Sequence, residues 1–147
     1  MTGPVHRDEF RRLEGVWSGT EIVGTSGAHT EATARLTFQT LFDGRFLLCD
    51  YVQTLPDKTT SLGHGVFRRE DHSGELCVTW FRVPSASATQ QATGVAEGDR
   101  MIFVETIDGR KTRTTYSMVI DKLTILTEAS LRGAEWERVF EGSYRRR

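Results

Sequence analysis

Trp136-Glu137-Arg138-Val139-Phe140-Glu141-Gly142-Ser143-Tyr144-Arg145-Arg146 decides the fold when it is set beside Gly15-Val16-Trp17. Trp136, Arg138, Phe140 and Tyr144 fall on alternate residues, the period of a strand with one buried face. Strand-like segments of the same kind, separated by tight turns, fill the chain back to Gly15. Such a chain buries its faces most easily by curling until its last strand meets its first. The expected fold is all-β: a closed antiparallel up-and-down barrel within one domain of 147 residues, with the barrel over about 15–146.

Turn chemistry sets the strand count. Turn signals stand at Gly24 to Gly27, Asp43-Gly44, Pro56 to Thr59, Asp71 to Gly74, Pro84-Ser85, Glu97-Gly98, Asp108-Gly109, Asp121-Lys122 and Leu131 to Gly133. Asp-Gly between alternating apolar residues is a strong hairpin signal. These turns predict about ten strands, all joined by hairpins. Ahead of them Val5 to Leu13 predicts one short helix, with Pro4 at its start and His6, Phe10 and Leu13 on one face. A helix this short needs a surface to lie on, and an open barrel end supplies one.

Register then predicts the interior. A two-residue loop at Asp43-Gly44 sets Phe38 opposite Cys49 and Leu36 opposite Tyr51. A four-residue loop over Pro56 to Thr59 sets Tyr51 opposite His64 and Cys49 opposite Val66. The expected inner face therefore joins Leu36, Phe38, Cys49, Tyr51, His64 and Val66. Near the end, Asp121-Lys122 as loop sets Thr115 opposite Glu128 with Arg113 diagonal, and Leu131 to Gly133 as loop sets Glu128 opposite Trp136. Because Trp136, Phe140 and Tyr144 make the more apolar face, they are expected inside, and Arg113, Thr115 and Glu128 with them.

Charge and cysteine usage exclude several classes. The formal net charge of −1 provides no field for nucleic acid or an anionic membrane. Cys49 and Cys77 lack metal-ligand spacing and read as buried thiols, so no metal is expected. No apolar run reaches membrane-spanning length, and the first thirteen residues are too charged for a signal peptide, which points to the cytoplasm. There is no nucleophile elbow, phosphate loop or dinucleotide fingerprint. No cofactor is expected.

Leu13-Glu14-Gly15-Val16-Trp17-Ser18-Gly19 resembles the Gly-x-Trp entry strand of the calycin superfamily, which includes lipocalins, fatty-acid-binding proteins and nitrobindin. More closely, the chain resembles a bacterial family of calycin-like barrels classed as domains of unknown function. The features that match are Asp43-Gly44-Arg45-Phe46, Asp50-Tyr51, Gly63-His64-Gly65-Val66-Phe67, Trp80 and Glu141-Gly142-Ser143-Tyr144-Arg145-Arg146. The resemblance implies a cavity of lipid or small-molecule size, and an Arg146 stacked on Trp17 to close the barrel. The chain departs from fatty-acid-binding proteins in having no helical pair after the first strand. It departs from haem-binding relatives in having no histidine after His72, which disfavours haem and leaves His64 alone to serve as an axial ligand.

Two functions follow. The first is a monomeric or homodimeric binding module that encloses a small, largely apolar molecule with a polar head group. Leu36, Phe38, Cys49, Tyr51, His64, Val66, Arg113, Thr115, Glu128, Trp136, Phe140 and Tyr144 would line its cavity, with the Arg113 guanidinium suited to a carboxylate head. The alternative is a cofactor-independent cyclase, isomerase or lyase. Tyr51 and His64 would be its acid and base, and the Arg113–Glu128 pair would orient the substrate. Each pair also has a purely structural reading, as a hydrogen-bonded core histidine and as a brace between strands.

Overall fold

β1 (Gly15–Thr25) is hydrogen-bonded on one side to β2 (Ala28–Leu41) and on the other to β10 (Glu137–Arg146). This is seen in a computed structural model that describes residues 8–83, 90–107, 109–131, 133 and 135–147. Between them run β3 (Phe46–Thr54), β4 (Thr60–Arg69), β5 (Leu76–Val83), β6 (Gln90–Glu97), β7 (Arg100–Ile107), β8 (Arg110–Val119) and β9 (Lys122–Leu131). All neighbours pair antiparallel in chain order, giving a closed ten-stranded up-and-down barrel. Closure gives every strand a hydrogen-bonded neighbour on both sides. α1 (Asp8–Leu13) is the short helix, and the expected start at Val5, with His6, falls outside the described residues. Pro84-Ser85 falls outside them as well. Among the described residues no helix is long and apolar enough to cross a membrane.

The seam is bonded at the helix end. Trp17 and Arg146 are register partners, and the guanidinium lies 4.3 Å from the centre of the indole ring. Arg146 also donates to the carbonyls of Arg12 (2.7 Å) and Glu14, and to Asp121 Oδ1 (3.1 Å). The Trp17 indole N–H donates to the Leu13 carbonyl at 2.9 Å. Helix, first strand and last strand are thereby tied at one point.

Loop parity decides which side chains enter. The β2–β3 register is the expected one, Leu36 opposite Tyr51 and Phe38 opposite Cys49. The loop itself is longer, Phe42 to Arg45, but it grows by one residue on each side and so keeps the faces. The β3–β4 loop is a different case. The Lys58 N–H donates to the Leu55 carbonyl and the Leu55 N–H to the Thr59 carbonyl, both at 2.9 Å, and Lys58 has φ 72°. That is a turn with Pro56 at its second position and a left-handed residue after it, a three-residue loop. Asp57 Oδ1 accepts the Thr59 N–H at 2.9 Å and holds the turn. An odd loop in place of an even one reverses β4. Tyr51 faces Gly63, Cys49 faces Gly65, and His64 and Val66 point outward, correcting the inward placement of both.

A second parity change lies in β10. The β8–β9 turn is Ile120-Asp121, one residue earlier than Asp121-Lys122, so Arg113 stands directly opposite Glu128 rather than diagonal to it. β10 then bulges between Arg138 and Phe140, Arg138 pairing with Glu128 and Phe140 with Thr127. The extra residue, Val139, turns the strand over. Phe140 and Tyr144 go inside as expected, but Trp136, 38% exposed, lies outside just ahead of β10. Arg113, Thr115 and Glu128 share its outward side, which corrects their expected place in the cavity.

Around Phe67 the interior is solid. Its ring makes tilted or edge-on contacts with Phe10, Phe38, Trp80, Phe103 and Tyr116, at centroid distances of 5.6–6.4 Å. Such pairs add about 0.5–1.5 kcal/mol each beyond area burial. α1 caps this end by burying Phe10 and Leu13. Phe67 and Val66, on opposite faces of β4, should respond unequally to truncation. Phe67→Ala should destabilise by about 3–5 kcal/mol. Val66→Ala, on the outer wall, should cost about 1 kcal/mol or less. Urea midpoints of the two variants check this, and a reversed order would mean that β4 is turned the other way.

Candidate functional site

Along β1 the inward residues are Trp17, Gly19, Glu21 and Val23, and Glu21 is 1% exposed. A carboxylate in such a place must be bonded to be tolerated. Glu21 Oε1 accepts from the Tyr51 hydroxyl at 2.7 Å and from Gln53 Nε2 at 2.8 Å, and Oε2 accepts from the Tyr144 hydroxyl at 2.6 Å. Gln53 Nε2 reaches the Tyr51 hydroxyl oxygen as well, at 3.0 Å. The partners come from β3 and β10, the strands two places away on one side and next door on the other. Gly142 makes one of these bonds possible, since a Cβ there would lie 1.9 Å from the Tyr144 hydroxyl oxygen.

Beside this cluster, in the half of the barrel away from α1, is a cavity of about 490 Å³. Aromatic walls come from Tyr51, Trp80, Phe103, Tyr116 and Phe140, and aliphatic ones from Val23, Leu36, Val78 and Ile125. Gly65 leaves space for Trp80, as a Cβ there would sit 2.9 Å from the indole. Polar lining comes from Gln53, Ser61, Arg82, Gln90, Glu105, Thr112 and the bonded hydroxyls of Thr114 and Thr127 (3.0 Å). Arg82 is exposed and lies 5.2 Å over the Trp80 ring, where it adds a positive charge to the lining.

The structure divides the expected lining residues into three groups. Leu36, Tyr51 and Phe140 line the cavity. Phe38, Cys49 and Tyr144 also point inward but belong to the buried core. His64, Val66, Arg113, Thr115, Glu128 and Trp136 are on the outer wall. His64 Nδ1 is 2.8 Å from Asp50 Oδ1, and its side chain is 42% exposed. Arg113 bonds Glu128 Oε1 through Nε (3.1 Å) and Nη2 (2.9 Å) and lies 4.1 Å over the Trp136 ring. Tyr51 is therefore not beside His64 in the cavity, and the acid–base and orienting set read from the sequence is not assembled there. His29 and His72 are exposed, so no described histidine faces the cavity. Among the described residues no three His, Cys, Asp or Glu side chains converge as a metal site.

Glu21, Gln53, Trp80 and Arg82 are among the site residues that the sequence left without a place in the interior. Two of them follow the period of two: Glu21 is four residues from Trp17, and Gln53 is two from Tyr51. Trp80 and Arg82 needed the β4–β5 register, which sets them opposite Gly65 and Gly63.

No family model matches the chain, and no curated protein sequence does. Several solved structures share its fold. Rv2717c from M. tuberculosis superposes with a TM-score of 0.73 at 14% identity, over 98% of each chain. The S-type phycobiliprotein lyase CPES from Guillardia theta gives 0.66 at 9% identity, over 95% of this chain and 91% of that one. EF1p2_mFAP2b bound to DFHBI gives 0.54 at 12% identity, over 97% and 99%. At these identities the likeness establishes architecture alone.

Burial perturbs every phenol. Desolvation first, then the charge of Glu21 and the bond to it, push Tyr51 and Tyr144 far above the ordinary tyrosine range. Tyr116 is pushed up mainly by burial, as is the Cys49 thiol. These are all three tyrosines of the chain. With folded values above the ordinary 10.0, the native state holds phenol protons that the unfolded state releases. Their contribution to stability is thus complete below pH 10 and lost as pH rises above it. Tyrosinate absorbance should stay flat through pH 10 and rise only with loss of the β circular-dichroism signal. A phenol titrating near pH 10 in still-folded protein would show that one of the three is open to water.

The outer Arg113–Glu128 pair generates a second expectation. Side chains 35% and 23% exposed are partly screened by water. Their coupling in a double-mutant cycle should be about 1 kcal/mol or less, where a buried pair would show several. A coupling of several kcal/mol would place the pair inside.

Proposed function

We propose that this chain works as a one-domain binding module, monomeric or homodimeric and in the cytoplasm, that encloses a small, largely apolar molecule with a polar head group. The observation that carries the reading is the hollow half of the barrel. About 490 Å³ bounded by aromatic and aliphatic walls, with a few fixed polar groups, fits what small-molecule sites require. A core needed only for stability would be filled, as the half around Phe67 is. Two proteins of this fold lend support by their own roles, one bound to DFHBI and one a phycobiliprotein lyase.

The shape of the cavity explains how binding would work. The aromatic faces hold a flat apolar body by area burial and edge contacts. Tyr51 and Gln53 are held in place by Glu21, so they need no reordering when a ligand arrives. Arg82 and Glu105 give the lining one side chain of each charge.

Native mass spectrometry of freshly purified protein should show a co-purifying small molecule, and aminoanthracene should bind with enhanced emission. Ala92→Phe fills the cavity from β6, opposite Val78. It should weaken aminoanthracene binding at least about tenfold with circular dichroism unchanged. Equal binding by Ala92→Phe protein would place the probe elsewhere and remove the support for a cavity function.

A further inference from the structure

The polar corner formed by Glu21, Tyr51 and Gln53 has a definite hydrogen-bonding sense. Gln53 Nε2 gives its hydrogens to Glu21 Oε1 (2.8 Å) and to the Tyr51 hydroxyl oxygen (3.0 Å). An amide with its nitrogen so engaged holds its carbonyl oxygen on the opposite side. No described residue donates to that oxygen, while Gln53 itself lines the cavity. The Tyr51 hydroxyl has already spent its one hydrogen on Glu21 (2.7 Å) and retains only acceptor capacity. Behind both stands the Glu21 carboxylate, whose bonds all come from neutral groups, the third being the Tyr144 hydroxyl at 2.6 Å. This wall therefore offers acceptors and negative charge, and no donor.

The geometry points to a ligand whose head group is a hydrogen-bond donor, an amine, amide N–H or ring N–H, seated against the carbonyl of Gln53. Glu21 is the positioning residue: by taking the Gln53 amide nitrogen and the Tyr51 hydrogen, it fixes which way both groups face. This reverses the expectation of a carboxylate head, which came from placing Arg113 inside. A carboxylate against this wall would meet acceptors and a like charge, both unfavourable. A carboxylate elsewhere on the ligand can be met by Arg82, which lies over Trp80 with Nε 3.4 Å from Gln90 Oε1.

This inference rests on the binding reading, and three probes separate the two. Aminoanthracene carries a donor, methyl anthracenecarboxylate only acceptors, and anthracenecarboxylate a charge, all at one ring position. Affinities are measured in wild-type and in Arg82→Gln protein, because the exposed guanidinium would otherwise hold a carboxylate pointing outward. In Arg82→Gln protein the amine should bind at least about tenfold more tightly than the carboxylate and about fivefold more tightly than the ester. Gln53→Leu, which leaves both tyrosine bonds to Glu21 in place, should bring amine and ester to within about twofold while the ester affinity holds. Ester or carboxylate binding as tightly as amine in Arg82→Gln protein overturns the donor preference and leaves the cavity reading standing. An amine preference that survives Gln53→Leu overturns the assignment to Gln53. Silence from all three probes overturns the binding reading and this inference with it.

Discussion

The Arg146 guanidinium lies 4.3 Å over the Trp17 indole, at the seam where the last strand meets the first. Arg146 also takes carbonyls of Arg12 and Glu14, while Trp17 bonds the Leu13 carbonyl, so the contact joins barrel and cap. With this seam closed, β1 lies between β2 and β10, and its inward side chains are enclosed from both sides. Glu21 depends on that enclosure. Of its bonds, the one from Tyr144 on β10 crosses the seam while those from Tyr51 and Gln53 reach over β2 from β3, and opening the seam would take the Tyr144 hydroxyl from a carboxylate that burial obliges to be bonded. Stacking at the surface and a charge in the interior thus stabilise the same closure from two depths.

The barrel has two halves with different packing. Near α1, Phe67 touches five other rings, Phe10 of the helix among them, and Leu13, Trp17 and Leu47 pack around these. Away from α1 the walls carry aromatic and aliphatic side chains too, but polar groups such as Gln53, Arg82 and Glu105 interrupt them and space remains. Small residues on β4 contribute to both halves: Gly63 and Gly65 admit the rings of Tyr51 and Trp80, which stand 6.4 Å apart and divide core from cavity. The solid half buries most of the large apolar side chains, and the other half leaves a cavity.

Much of this architecture was legible from local signals. Alternation in Trp136 to Arg146, Asp-Gly turns and the spacing of turn residues led to ten antiparallel strands with one helix, as the structure has them. The Leu36–Tyr51 register followed from Asp43-Gly44, and the stacking of Arg146 on Trp17 followed from the resemblance to calycins. The site was legible only in part. Leu36, Tyr51 and Phe140 line the cavity, while His64, Arg113, Glu128 and Trp136 belong to the outer wall.

Two single residues account for that difference. Lys58 adopts a left-handed conformation, φ 72°, which makes its hairpin loop odd rather than even. Val139 is an added residue in β10 that turns the strand over between Arg138 and Phe140. Neither carries the glycine or asparagine that marks such positions locally. The sequence by itself determined the number of strands, their order and the chemical alternation along each, because these depend on turn residues and a period of two within one segment. Only the tertiary structure decided which faces of β4, β8 and β9 are inside, where β10 turns over, and where Glu21 finds its donors. Those depend on hydrogen bonds between strands distant in the chain, and a change of one residue in a loop or bulge inverts every side chain that follows it in the strand.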